Sequence, residues 1–339
     1  MTFRHNLLRL HRWLGIVLAA FLVVAGATGS FLAFHHEIDA ALAPELHAVV
    51  PGPTRARLDE IAARIEARHP GLVVGYFVFV PEAGDSIRAV MNTREAAGKG
   101  MLDRDAARPS EVYADPYSGK LLGERTWGEF GTTRAHWVPM VYRLHMSLFL
   151  GQAGQWITGL VAVAWMVTLM IGMVLAVPRL RLLGKALRIK WHARTARRLF
   201  DLHRSVGVSA ALLLLVSAFT GLYMNLPSVL EPALQSVSPF TERPASVRAE
   251  GTPREQVWRI GWDEAYARAR AAQPEHPAVV MGRVEGRGYY QVRFMPPDDI
   301  MDAGTIRLFI DGRDGRLLGR FHDREGRSEE RRVGKECRL

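Results

Sequence analysis

Leu10-His11-Arg12-Trp13-Leu14-Gly15 reads against Leu202-His203-Arg204-Ser205-Val206-Gly207, and the same spacing of 192 residues brings Thr28-Gly29 onto Thr220-Gly221. Each hexapeptide opens a long apolar run. Trp13 to Phe34, Ser205 to Leu226 and a third stretch, Trp156 to Val177, contain no Asp, Glu, Lys or Arg. A helix rising about 1.5 Å per residue makes each run roughly 33 Å long, enough to cross the hydrocarbon core of a bilayer. The sequence therefore predicts an integral membrane protein with three spans. Its repetition places His11 and His203 at one depth of two helices that run in the same direction. A cleaved leader is the competing reading of the first run, because Arg4, Arg9 and Arg12 precede it and Ala25-Gly26-Ala27 offers small residues. Against that, the run continues to Phe34 and an internal segment repeats it.

The formal charge of +10 could suggest a nucleic-acid partner, but its distribution points elsewhere. Nine Lys or Arg residues lie between Pro178 and Arg204 against a single acid, Asp201. A short basic loop between two spans is cytoplasmic by the positive-inside rule. The N-terminus then lies on the same side, both large extramembrane segments lie on the other, and lipid headgroups become the partner of the loop. Cys337 is the only cysteine, so neither an internal disulfide nor a thiolate metal site can form. Gly-rich phosphate loops are absent, which excludes a directly bound nicotinamide or flavin by the usual fingerprints.

The extramembrane segments repeat as well. Asp59-Glu60 with an Ala/Arg-rich helical stretch ending at His69-Pro70 matches Asp263-Glu264 and a stretch ending at Gln273-Pro274. Alternating runs such as Val73 to Val80 and Tyr289 to Phe294 suit half-buried strands. Tyr113-Ala114-Asp115-Pro116-Tyr117-Ser118-Gly119-Lys120-Leu121-Leu122-Gly123 matches Phe309-Ile310-Asp311-Gly312-Arg313-Asp314-Gly315-Arg316-Leu317-Leu318-Gly319, and both read as hairpins. Each extramembrane segment is thus expected to be a small α+β domain. The expected organisation is a first span with its cytoplasmic lead (1–36), a first α+β domain (37–140), a second span with a preceding histidine segment (141–177), the basic loop (178–204), a third span (205–226), a second α+β domain (227–326) and an aperiodic, charged, non-native tail (327–339). By the repeat, the counterpart of His145 in Arg143-Leu144-His145-Met146 falls near position 341, at the start of a fourth span that this chain lacks.

Of the twelve histidines, His5, His47, His69, His276 and His322 sit in polar or loop contexts and read as solvated surface, and His192 belongs to the basic loop. Those near the membrane are costly there and so point to function. Parallel repeats are related by an axis along the bilayer normal, which lets His11 and His203 face each other at equal depth. Two opposed imidazoles are what a six-coordinate haem needs, since the porphyrin supplies the other four nitrogens. The same symmetry gives His145 to a second haem nearer the far face. Arg12 and Arg204, next to the proposed ligands, could pair with haem propionates, although topology anchoring explains them equally well. His35 and His36, at the outer end of the first span, offer a substitute ligand. Gly26, Gly29, Gly159, Gly172 and Gly221 allow close approach of a helix or a flat macrocycle.

These motifs together resemble the PepSY-associated transmembrane-helix proteins, also called iron-regulated membrane proteins: Leu-His-Arg opening two spans, Arg143-Leu144-His145 before another, and paired domains with Asp115-Pro116-Tyr117-Ser118-Gly119. The resemblance covers residues 1 to 326. It implies a bacterial inner-membrane helical bundle of four spans, three of them present here, with two periplasmic PepSY-like α+β domains. It also implies two b-type haems held by histidines, with His11, His145 and His203 as the ligands in this chain, and transfer of electrons to ferric siderophores in the periplasm. The electron donor is external. With the fourth span absent, this chain retains either both haems or only one. The alternative is a haem-free PepSY membrane protein that binds or regulates periplasmic peptidases or envelope partners. A transporter has little support, because no span carries a buried acid or a broken-helix substrate site.

Overall fold

The computed structural model describes residues 3–80, 84–98, 107–177, 179–237, 244–245, 257–299 and 304–322. The charged tail assigned to 327–339 lies outside them. Two compact units are distinguished, one of residues 1–35 and 140–239, the other of residues 36–139 and 240–339.

The first unit is helical. Its long helices are α1 (Phe3–Leu32), α7 (Gly151–Ala176) and α9 (Thr195–Asn225), all long and apolar enough to cross a membrane. Each holds one of the three runs free of charge, and α1 and α9 extend a few turns beyond theirs into the arginine-rich flanks. Val17, Leu160, Val174, Leu212 and Leu213 are each more than half exposed. In water such a surface would be an aggregation hazard, whereas facing lipid it costs nothing. The α7 helix packs against both α1 and α9. A side chain at Gly159 would come within 2.5 Å of Leu226, so the glycine sets that approach, and Ala162, Leu222 and Leu226 form a small buried cluster there.

Two shorter helices complete this end of the bundle. The α6 helix (Trp137–Ser147) precedes α7, and the chain breaks between them. Leu148 and Phe149 both adopt left-handed backbone, φ 52° and 61°, conformations that cost bulky L-residues about 1–2 kcal/mol each. Gly154 packs directly on the Ser147 carbonyl, where any side chain would collide. The second histidine segment is thus a separate helix folded onto the start of α7, not a continuation of it. The α10 helix (Pro227–Val237) packs on α9 and belongs to the helical unit, so the segment from 227 onward does not begin as part of an α+β domain.

The second unit is built on one antiparallel sheet. Helices α2 (His35–Leu42), α3 (Pro44–His47) and α4 (Leu58–Arg68) lead into β1 (Leu72–Val78) and β2 (Ile87–Thr93), then α5 (Arg94–Gly98), β3 (Glu111–Ala114) and β4 (Leu121–Arg125). In the helical unit α8 (Leu183–Ala186) lies within the basic loop. The sheet resumes after α11 (Trp262–Ala272) with β5 (Ala278–Val284), β6 (Tyr289–Phe294), β7 (Ile306–Asp311) and β8 (Leu317–His322). The strand order is β4-β3-β2-β1-β5-β6-β7-β8. The two expected domains are therefore not separate. Pairing of Tyr76, Phe77 and Val78 with Gly282, Met281 and Val280 joins them into one eight-stranded sheet. The physical reason is that β1 and β5 would otherwise each leave an edge of unpaired backbone groups. One core serves both halves, with Ile61, Ile65, Phe77 and Met91 continuous with Trp262, Met281, Tyr290 and Leu308, and Phe77 meets Trp262 edge-on at 5.0 Å.

Both expected hairpins are present. Asp115 accepts the Tyr117 N–H at 2.8 Å and Asp311 accepts the Arg313 N–H at 2.9 Å, each an aspartate turn closed by a left-handed glycine, Gly119 or Gly315. The two helix starts cap each other. Asp59 accepts from Trp262 N (2.7 Å) and Asp263 N (3.2 Å), while Asp263 accepts from Leu58 N (2.9 Å) and Asp59 N (3.1 Å). Helix N-termini carry N–H groups without partners inside the helix, and here each helix uses the other's carboxylate. Over the first half of the sheet lies a buried ionic group. The Arg125 guanidinium donates to both oxygens of Asp39 at 2.8 Å and to Glu111 at 2.9 Å, and Arg88 reaches the other Glu111 oxygen at 3.3 Å. Burial alone would raise the Asp39 pKa, but hydrogen bonds from His47 and Arg125 outweigh it and hold the carboxyl well below the usual range.

Candidate functional site

His11 lies on α1, two residues before the apolar run. Its Nδ1 is 3.1 Å from the carbonyl oxygen of Thr168 on α7. A carbonyl can only accept, so Nδ1 carries the hydrogen and Nε2 presents a bare lone pair. Gly172, one turn further along α7, gives the ring room, since a Cβ there would sit 2.9 Å from its Cε1. Across from it stands His203 of α9, with ring centres 6.2 Å apart and planes inclined by 53°. The pairing expected from the repeat is thus present in space, brought about by α7 packed between α1 and α9. Beside it the Thr168 hydroxyl oxygen is buried with no hydrogen-bond partner among the described residues.

His145 lies on α6 against a different level of α1. Its Nδ1 is 2.8 Å from the Thr28 hydroxyl, and a Cβ on Gly29 would be 3.2 Å from its Cε1. Thr28 lies 17 residues beyond His11 on the same helix, which at about 1.5 Å per residue separates the two histidine levels by roughly 25 Å. No imidazole partner for His145 lies among the described ring contacts. At the equivalent Thr220-Gly221 of α9, a Cβ on Gly221 would meet open space.

The neighbouring arginines differ. Arg12 extends over its neighbour Trp13 at 5.8 Å. Arg204 donates to the carbonyls of Ala186 (2.9 Å) and Arg188 (3.0 Å) and pairs with Asp201 at 3.0 Å. It therefore pins the basic loop to the start of α9. Asp201, fully buried, also pairs with Arg197 on its own helix and accepts the Lys190 N–H at 3.3 Å, which ties the loop to α9. Sequence reading saw Asp201 only as the single acid among cations.

His35 meets Tyr142 edge-on at 6.4 Å, while His36 belongs to the sheet unit, where its ring lies 6.4 Å from that of His47. Two of the histidines assigned to solvated surface are in fact engaged. His47 bonds Asp39 at 3.2 Å with its side chain 12% exposed, and His69 bonds Glu124 at 3.0 Å. Their partners come from distant sequence or a neighbouring helix, which local polarity does not reveal. Among the described residues no three His, Cys, Asp or Glu side chains converge to hold a bare metal ion. The donor set at each level is one or two imidazoles, which suits a group that brings further ligands of its own.

A family model described as "PepSY-associated TM region" matches residues 8–329. This chain belongs to that family. No curated protein matches it. Membership, together with three helices apolar enough to span a bilayer, makes this PepSY-associated chain a membrane protein. The Thr168 carbonyl was not foreseen from the sequence, which offered Gly172 for close approach and Thr28 within the repeated Thr-Gly motif. Thr28 and Gly172 were visible as small or polar residues in apolar runs, but only helix packing shows which histidine each one touches.

Proposed function

We propose that this PepSY-associated protein is a haem-binding electron-transfer protein of the bacterial inner membrane, reducing ferric siderophores on the periplasmic side. The observation that carries the reading is the His11–His203 pair. With metal–nitrogen bonds of about 2 Å, two imidazoles on opposite sides of one iron have ring centres roughly 6 Å apart, and here the separation is 6.2 Å. The Thr168 carbonyl orients His11 so that Nε2 is the nitrogen left to bind, the second-shell arrangement common to metal-ligating histidines. Gly172 gives that ring its place and the orphaned Thr168 hydroxyl lies beside it, both consistent with a bound group.

In this reading His11 and His203 hold one haem and His145 serves a second, roughly 25 Å away along α1. Haem supplies one-electron chemistry; the protein sets its orientation and surroundings. With the basic loop cytoplasmic, the first pair lies toward the electron donor and His145 toward the periplasm. Arg12, rather than the loop-bound Arg204, is the better placed of the two to meet a propionate. Reduction releases iron because the less charged ferrous ion suits hard oxygen ligands poorly.

The test is the absorption spectrum of the full chain purified in detergent from haem-replete cells. A Soret band that shifts on dithionite reduction is expected, with H11A and H203A each losing the same pigment fraction. Oxidation of the reduced protein by a ferric hydroxamate should then restore the ferric spectrum. Colourless protein, or pigment untouched by both substitutions, rejects the proposal and leaves the partner-binding alternative standing.

A further inference from the structure

Thr28 stands between the backbone of its own helix and His145. Its hydroxyl donates to the Val24 carbonyl at 2.7 Å, with the Ala25 carbonyl a second acceptor at 3.1 Å. A hydroxyl has one hydrogen and two lone pairs. A 2.7 Å contact between two oxygens requires a hydrogen between them, and a carbonyl has none to offer. The hydrogen is thus held by the helix, and toward the imidazole, 2.8 Å away, the Thr28 oxygen can only accept. Nδ1 of His145 must therefore carry its proton. Gly29 gives the ring its room, because a Cβ there would lie 3.2 Å from Cε1.

We infer that Thr28 is a positioning residue that holds His145 in the Nδ1–H tautomer, leaving the Nε2 lone pair as a ligand for the iron of a porphyrin. The ligand role rests on the function proposed above; the tautomer rests on the hydrogen bonds alone. His11 reaches the same tautomer by another route, through the backbone carbonyl of Thr168. Substitution leaves a carbonyl in place, whereas the Thr28 hydroxyl can be removed. An acceptor on Nδ1–H also makes Nε2 a stronger donor, and loss of such an outer partner costs about 10–100-fold in metal affinity.

The experiment compares the full chain with T28V, which keeps the shape and loses the oxygen, and T28S, which restores it. The haem component attributable to His145 is the one lost in H145A. In T28V that component should bind about 10–100-fold more weakly and its midpoint potential should rise, with the other component unmoved; T28S should recover both. A T28V potential and affinity equal to wild type overturn the inference, and a haem complement unchanged by H145A overturns the ligand role. The tautomer is read separately from nitrogen-15 chemical shifts of labelled histidine in haem-free protein, with His145 signals identified by their loss in H145N. Nδ1–H in wild type and a tautomer mixture in T28V support the inference even if the protein proves colourless, which would defeat only the proposed function. The same tautomer in both defeats the inference itself. Should T28V fail to accumulate, T28A replaces it.

Discussion

Arg125 of the sheet unit, 1% exposed at its side chain, meets two carboxylates and a backbone carbonyl, whereas His11 of the helical unit meets one carbonyl oxygen and a glycine. Both are polar groups at sites where burial is expensive, yet their surroundings differ. In the sheet unit Arg125 lies between the Asp39 and Glu111 carboxylates, and Arg88 stands 3.3 Å from the remaining Glu111 oxygen, so the charges of the cluster balance one another and the cluster has a structural role. In the helical unit the imidazoles of His11 and His145 are held through one nitrogen and leave the other without a described hydrogen bond. A structural polar group is one whose bonding capacity is filled, and a ligand is one whose capacity is filled except at a single atom. On the proposed function, the comparison separates the fold's supports from the groups that would hold a cofactor.

The largest expected effect breaks the sheet side. Arg125→Ala leaves Asp39 and Glu111 buried without their shared cation, and removing one partner of a buried pair costs about 3–5 kcal/mol. Denaturant unfolding monitored by tryptophan fluorescence checks this, and a loss below about 1 kcal/mol would mean that the cluster is hydrated. The helical side is sharpened by Gly172→Val. Its side chain must displace the His11 ring, an overpacking cost of about 1–3 kcal/mol. Pigment of the His11–His203 level should fall while the sheet unit unfolds as before. Retention of full pigment would show that the ring can move aside.

The smallest effect concerns the reciprocal caps. Burial, then the hydrogen bond with Asp263, raises the Asp59 pKa above its usual 3.8. The folded state thus binds a proton more tightly than the unfolded chain does. Its contribution is fully present below the unfolded value and is lost as pH rises through the raised one. Asp39, Asp115 and Asp311 shift downward, so their contributions have the opposite sign: present above 3.8 and lost on acidification. Asp59→Asn keeps an acceptor and should cost about 1 kcal/mol or less. It should also steepen the net loss of stability on acidification, by removing a group that opposes it. Unfolding midpoints between pH 3 and 6 measure this, and parallel curves for the two proteins would refute the raised Asp59 pKa.

The three helices long and apolar enough to cross a membrane, both hairpins, the helix-and-strand character of the segments between them and the nearness of His11 to His203 could all be read from the chain. Each depends on local periodicity, on turn residues, or on one motif repeated at a constant spacing. Hydropathy over some twenty residues suffices to commit a segment to a bilayer, and an Asp with a left-handed Gly suffices to commit a turn. Tertiary structure alone decided that the two α+β segments share one sheet, that α6 breaks from α7 at Leu148 and Phe149, that Arg204 ties down a loop, and that Thr28 and Gly172 serve histidines on other helices. Those facts rest on contacts between residues far apart in the chain. Such contacts depend on how closely two surfaces can approach, a property that no single segment carries.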